Sequence, residues 1–138
     1  MKRLAYLMIA LLGLLAGCAS TQTGDKVGGW SSSEEHPSAR LHTELGAGYY
    51  PRGQYAVALQ ELRTALAADA GYAPAYSILG VHQAELREDA QAEEQFKRSI
   101  QLAPQYSEAH NNYGVFLCQR KRVAEAMQYF ESALNNPL

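Results

Sequence analysis

Positive charge is scarce in this 138-residue chain: 12 Lys and Arg stand against 14 Asp and Glu, for a formal charge of −2, and the basic residues form no stripe. Nucleic acid is therefore disfavoured as a partner. Histidine is equally sparse. His36, His42, His82 and His110 are scattered along the chain, with no cysteine or carboxylate at a spacing that suggests zinc or another metal. The longest apolar run, residues 4–15, is 12 residues long and too short to span a bilayer comfortably. Only two cysteines occur, Cys18 and Cys118, and a single tryptophan, Trp30. A catalytic thiol at Cys118 needs a base nearby, and His110 precedes it by about two helical turns, roughly 12 Å of helix rise. That is too far for direct activation. No active site, cofactor or small-molecule substrate is read from these residues, and the chain is not expected to be an enzyme. No second compositional block divides it, so it is one domain plus a tail.

What the chain does have is a period. Gly80 recurs at an even spacing on both sides, as Gly46 and Gly114. The same shift relates Ala92 to Ala58 and Ala126, Phe96 to Leu62 and Phe130, Ser99 to Ala65 and Ala133, and Leu79 to Leu45 and Tyr113. In the middle copy Tyr76, Leu79, Gly80 and Gln83 fall three and four residues apart, so they share one stripe of a helix from about residue 74 to 86. Ala92, Phe96, Ser99 and Ile100 do the same on a second helix over about 89–102. Gly80 costs about 1 kcal/mol of helix propensity relative to Ala, which points to close approach of the first helix to the second, where Ala92 is also small. Phe96 then fills the space between adjacent hairpins. One hairpin cannot bury its apolar face alone, so stability must come from stacked neighbours.

The first copy has helices over about 39–50 and 54–68 that turn at Pro51-Arg52-Gly53, where proline removes a donor and glycine allows an unusual backbone angle. The second and third copies turn at 87–89 and 120–122 without either residue. Pro74 falls just inside the middle copy's first helix. Glu93 with Lys97 and Glu94 with Arg98 are pairs four apart, read as a solvated face.

A period of 34, with large-small (Leu-Gly) on a first helix and Ala, Phe and Ala spaced four and three apart on a second, resembles the tetratricopeptide repeat. The resemblance covers about residues 39–138, as repeats 39–72, 73–106 and 107–138. It implies an all-α solenoid of three helix-turn-helix repeats, about six helices, whose first helices line a protein-binding groove. Carried onto this sequence, the lining positions are Arg40, Thr43, Ala47 and Tyr50, then Pro74, Ser77, Val81 and Ala84, then Glu108, Asn111, Val115 and Cys118. Each also has the plainer reading of packing within its own array. The lining is mostly small or apolar and lacks the Lys and Asn clamp with which some relatives grip a C-terminal carboxylate. It suits a hydrophobic segment of a partner, with Asn111 best placed to hydrogen-bond a peptide backbone.

Residues 1–17 read as a targeting segment: Lys2 and Arg3, the apolar run, then Leu15-Ala16-Gly17-Cys18, which resembles the bacterial lipobox. That resemblance implies a diacylglyceryl group and palmitate on Cys18, with cleavage in front of it. Because Ala19 rather than Asp follows, it also implies an outer-membrane lipoprotein facing the periplasm. Acyl chains contribute about 0.8 kcal/mol per buried methylene, so the mature N-terminus is held on the membrane. Loss of the two positive charges of Lys2 and Arg3 takes the formal charge from −2 to −4. Residues 18–38 are polar and rich in Ser, Thr and Gly, the composition of a flexible tether with a reach of roughly 25 Å. Trp30 stands alone there, as an exposed aromatic or a partner contact. With Cys18 lipidated, Cys118 has no partner within the chain in an oxidising compartment. It forms a disulfide elsewhere or is a buried small hydrophobe.

In the third repeat the run Asn111-Asn112-Tyr113-Gly114-Val115-Phe116-Leu117-Cys118 is similar to the signature of the type IV pilus biogenesis/stability lipoproteins, the pilotins. Those proteins bear a lipobox, are built of repeats and face the periplasm. The resemblance implies binding of the pilus secretin, with promotion of its localisation and multimerisation. The competing readings are a general periplasm-facing scaffold that recruits envelope assembly factors or enzymes, and an enzyme using Cys118. Pilotin arrays are longer than three repeats, and the stretch Asn135-Asn136-Pro137-Leu138 offers no polar capping helix. The expectation is a truncated product, or a last hairpin whose bare face meets a partner.

Overall fold

Left-handed turn residues fold the helices of the chain back on one another as hairpins. The computed structural model describes residues 36–136. The targeting segment, Cys18, Trp30, most of the expected tether, Pro137 and Leu138 lie outside the described residues. The helices are α1 (Pro37–Tyr49), α2 (Tyr55–Ala68), α3 (Ala73–Glu85), α4 (Asp89–Leu102), α5 (Ser107–Gln119) and α6 (Val123–Asn135), with a short 3-10 turn at Tyr50–Arg52. They pair as α1/α2, α3/α4 and α5/α6. Each of the first two hairpins also packs, through both of its helices, on the first helix of the next hairpin. No helix among the described residues is long and apolar enough to cross a membrane.

Two of the six α-helices carry a proline in the first turn. α1 begins at Pro37, slightly before the expected start at 39, because proline at the first turn has no N–H to leave unpaired and its φ is already helical. Pro74 does the same for α3. His36 is fixed in front of α1: its Nδ1 lies 2.7 Å from Asp69 Oδ2 and its ring packs on Tyr72 at 5.8 Å. The last residues assigned to the tether, Pro37 and Ser38, are therefore part of α1.

The turns obey the same period. Gly53 has φ 75°, and Arg87 and Lys121, one and two periods on, have φ 65° and 63°. Their N–H groups donate to the carbonyls of Tyr50, Ala84 and Cys118, again one period apart. A left-handed residue with a Cβ costs roughly 1–2 kcal/mol. Arg87 and Lys121 bear that cost because the angle between paired helices requires it.

The three periodic glycines occupy like environments. A Cβ at Gly46 would come within 2.7 Å of Leu62 Cγ, one at Gly80 within 2.8 Å of Phe96 Cε1, and one at Gly114 within 2.6 Å of Phe130 Cε1. It is thus the large residue of the second helix, more than Ala92, that each glycine accommodates. Phe96 is buried and continues into the next junction, with its ring 5.5 Å from those of Tyr113 and Phe116. It joins Ala92, Leu117 and Ala126 in one core cluster across the second and third hairpins. Ser99, fully buried, donates its hydroxyl to the carbonyl of Ala73 at 2.8 Å, which satisfies both groups.

Candidate protein-binding surface

The positions expected to line a groove divide by burial. Thr43, Ser77 and Ala84 are buried. Thr43 Oγ1 donates to Ala39 O at 2.7 Å, and Ser77 Oγ accepts from Asn112 Nδ2 of the next hairpin at 3.1 Å. Ala84 O accepts from Arg120 at 2.9 Å. Successive first helices sit close enough to enclose these side chains, so they hold the array together and present no open surface. Tyr50 is half-buried, stacked on His82 at 4.0 Å and beside Tyr55 at 4.7 Å. Val81 packs against the core. Arg40, Asn111, Val115 and Cys118 are exposed, Arg40 in an ion pair with Glu44 at 3.3 Å. Cys118 carries a free, exposed thiol, which replaces the reading of a buried small hydrophobe. His110 is turned to other work, its Nε2 2.8 Å from Pro104 O and its ring packed on Tyr129.

Sequence spacing missed the polar joints. Glu93, expected to form a solvated pair with Lys97, does so at 2.8 Å, but its carboxylate also takes Arg122 at 2.7 Å and the Tyr113 hydroxyl at 2.8 Å. The Arg122 guanidinium, with help from Lys97 and Tyr113, holds the Glu93 carboxyl well below its usual range, down to about 2. Burial and that same hydrogen bond push the Tyr113 phenol up. Arg120 grips Asp89 through two nitrogens, at 2.6 and 2.8 Å, and lies 5.0 Å over the Phe116 ring. Glu94 and Arg98 were the other expected pair, and Arg98 lies over Tyr76 at 6.0 Å. The joints at Asp89 and Glu93 link one hairpin to the next, across a sequence separation that no helical pairing rule covers.

His42 meets Glu61 across the first hairpin at 2.6 Å. His82 is different: it is buried between the first and second hairpins against Tyr50, and its Nδ1 has no partner. Burial lowers its pKa to about 4, so it is neutral at pH 7.

Apolar exposure gathers at the last hairpin. Val115, Val123, Met127 and Leu134 are 41, 53, 52 and 82% exposed. They lie at the end of the stack, where no further hairpin covers them among the described residues.

A stack of helical hairpins in periodic register, enclosing its small residues and offering surfaces on its first helices and at its end, is a repeat scaffold of the protein-binding type. The model of the Tetratricopeptide repeat family matches residues 43–107 and 90–137, most of the chain, and the chain belongs to that family. Among curated proteins it is 29% identical over 136 residues to the type IV pilus assembly protein PilF of Pseudomonas aeruginosa, a match that spans 99% of this chain and 53% of that one. It is 30% identical over 107 residues to an uncharacterised protein of Haemophilus influenzae, covering 78% of this chain and 60% of the other. The chain thus spans little more than half the length of the curated relatives it matches. Among solved structures it resembles MamA with a TM-score of 0.61 at 27% identity, covering 72% of this chain and 58% of that one. It also resembles the second repeat domain of Spaghetti (RPAP3), solved with an HSP90 peptide, with a TM-score of 0.63 at 23% identity over 76% and 97% of the two chains.

Proposed function

We propose that this chain is a lipid-anchored assembly factor of the type IV pilus, a pilotin that binds the pilus secretin at the periplasmic face of the outer membrane and promotes its localisation and multimerisation. The observation that carries the reading is the similarity to PilF, a type IV pilus assembly protein, over 99% of this chain. The Leu15-Ala16-Gly17-Cys18 motif supports it from the opposite end of the sequence, since a diacylglyceryl group on Cys18 would hold the array beside the membrane in which a secretin assembles. The repeat fold suits binding, and polar side chains such as Asn112, Arg120 and Arg122 join one hairpin to the next. Tethering raises the concentration of the array near the membrane and so favours partners already there.

The test is deletion of the gene followed by fractionation of the secretin. The expected result is secretin left as monomers, with loss of twitching, restored by the wild-type chain and not by Cys18→Ser. Secretin rings that resist SDS and sit normally in the outer membrane of the deletion strain would remove the proposal.

A further inference from the structure

The two junctions between hairpins are built in opposite ways. Between the second and third hairpins the centre is aromatic, with Phe96 against Tyr113 and Phe116, and the rim is ionic, with Asp89 on Arg120 and Glu93 on Arg122. One period earlier the arrangement is inverted. The rim positions of Asp89, Glu93 and Arg120 become Tyr55, Leu59 and Leu86, while the centre receives His82 in the place of Phe116 and Gln83 in the place of Leu117. Both side chains keep a buried atom without a hydrogen bond, His82 Nδ1 and Gln83 Oε1. The apolar packing differs as well. The cluster across the second junction contains Phe96, Tyr113, Phe116 and Leu117, whereas the one across the first is Ala39, Ala65, Tyr72 and Ala75, with Leu66 at its margin.

We propose that the junction between the first and second hairpins is an acid-sensitive hinge: protonation of His82 swings the α1/α2 hairpin away from α3 to α6, which stay together.

In a stack whose hairpins touch only their neighbours, separation begins at the weakest interface. Opening the first junction returns His82 Nδ1 and Gln83 Oε1 to water, where each regains a partner. Opening the second would break two ion pairs and part the Phe96 cluster. Alanine also leaves less apolar area to expose than phenylalanine or leucine does. Acid acts at the first junction because of where His82 sits. It is 3% exposed, its ring is stacked on Tyr50 at 4.0 Å, and the Tyr50 hydroxyl donates to its carbonyl at 3.4 Å. The other three histidines each have an acceptor at a ring nitrogen: Asp69 at His36, Glu61 at His42 and the Pro104 carbonyl at His110.

The titratable and charged groups on the elements packed against α3 are engaged with one another. On α1 and α2, His42 and Glu61 form a pair; at the first turn, Tyr50 lies beside Tyr55 of α2; Asp89 of α4 and Arg120 at the end of α5 hold each other. Glu85, on α3 itself, acts on the Tyr50 phenol. Burial alone lowers the proton affinity of His82, so a proton on the closed ring meets no counter-charge. With a pKa of 6.5 in the open state and about 4 in the closed one, the ratio of open to closed rises roughly twentyfold between pH 7 and pH 5. The first hairpin adjoins the N-terminal segment, so opening lets the other two turn on whatever holds that segment. The hinge goes beyond the assembly role proposed above and does not depend on it.

The test uses the full chain in detergent with Cys18→Ser. Spin labels sit on Cys118, whose thiol is exposed, and on either Val57→Cys of α2 or Glu94→Cys of α4, both at exposed positions. Pulsed electron resonance reads each separation at pH 7 and pH 5. The pair at 57 and 118 is expected to gain a longer separation at pH 5, its share relative to the shorter one rising roughly twentyfold, with the pair at 94 and 118 unchanged. His82→Phe, which copies Phe116 of the second junction, and His82→Gln, neutral at every pH, should each hold the separation between 57 and 118 constant over that range. Gln83→Leu should lower the open share at both pH values and keep its ratio. A rise below about threefold, against the roughly twentyfold expected, overturns the proposal. So does an equal change in the pair at 94 and 118, a response that survives either His82 variant, or one that Gln83→Leu abolishes. None of these outcomes touches the secretin fractionation, which reads ring assembly in cells.

Discussion

Alanine at Gly80 and at Gly48 should move stability in opposite directions. Both glycines are helical, so both substitutions recover about 0.5–1 kcal/mol of propensity and unfolded-chain entropy. At Gly48 a Cβ meets nothing within 4 Å, and the gain stands uncorrected. At Gly80 it would lie 2.8 and 2.9 Å from two atoms of the Phe96 ring. That ring cannot retreat, because it is 1% exposed and backed by Tyr113 and Phe116 at 5.5 Å. Overpacking of this kind costs about 1–3 kcal/mol. The propensity term cancels between the two variants, so their difference should equal the overpacking term, about 1–3 kcal/mol. For a folded unit of this size each kcal/mol is about 4–8 °C in Tm. Thermal and urea unfolding of the two single variants measure it. A second arm isolates the cause: in a Phe96→Leu background the Gly80→Ala penalty should fall by at least half, a coupling expected only of residues in contact. Phe96→Ala by itself should cost about 3–5 kcal/mol. Equal upward shifts of Tm for Gly48→Ala and Gly80→Ala would refute the claim that the periodic glycines exist to seat the large residue of the second helix.

Two further predictions concern pH. Burial lowers the His82 pKa from 6.5 to about 4, so the unfolded chain takes up this proton first. The stability it contributes is complete above pH 6.5 and is lost as pH falls towards 4, on the order of 2–3 kcal/mol. His82→Phe should flatten that part of the curve, and an unchanged acid limb would count against it. Glu93 is lowered from 4.5 to about 2, chiefly by Arg122, so its contribution is complete above pH 4.5 and is lost between there and pH 2. In Glu93→Gln the acid limb over that interval should shrink in urea titrations at stepped pH, and a limb of wild-type size would show that the joint carries no stability.

Much of the architecture was legible in the chain because helical hairpins repeat their environment and therefore their side chains. The periodic register, the helix of residues 89–102 and the turn at Gly53 could all be read from spacing. The burial of Thr43, Ser77 and Ala84 could not. It depends on how closely consecutive first helices approach, which the period does not encode. Nor could spacing reveal that Arg87 and Lys121 adopt the angle that glycine takes at 53, since local preference opposes it and tertiary geometry overrides it. The apolar exposure of the last hairpin was not legible in the spacing and emerged only when exposure could be assigned to Val123, Met127 and Leu134.

The sequence by itself determined the repeat and the pairing of its helices, because these are set by residues a fixed number of steps apart; that each periodic glycine seats the large residue of the second helix rather than the small one emerged from the structure. Tertiary structure alone decided which side chains are sealed between hairpins and which remain open to a partner, and it alone brought Glu93 to Arg122 and His82 to Tyr50. Those outcomes depend on distances across the stack, where each hairpin's position is fixed by packing on its neighbour rather than by anything within its own repeat.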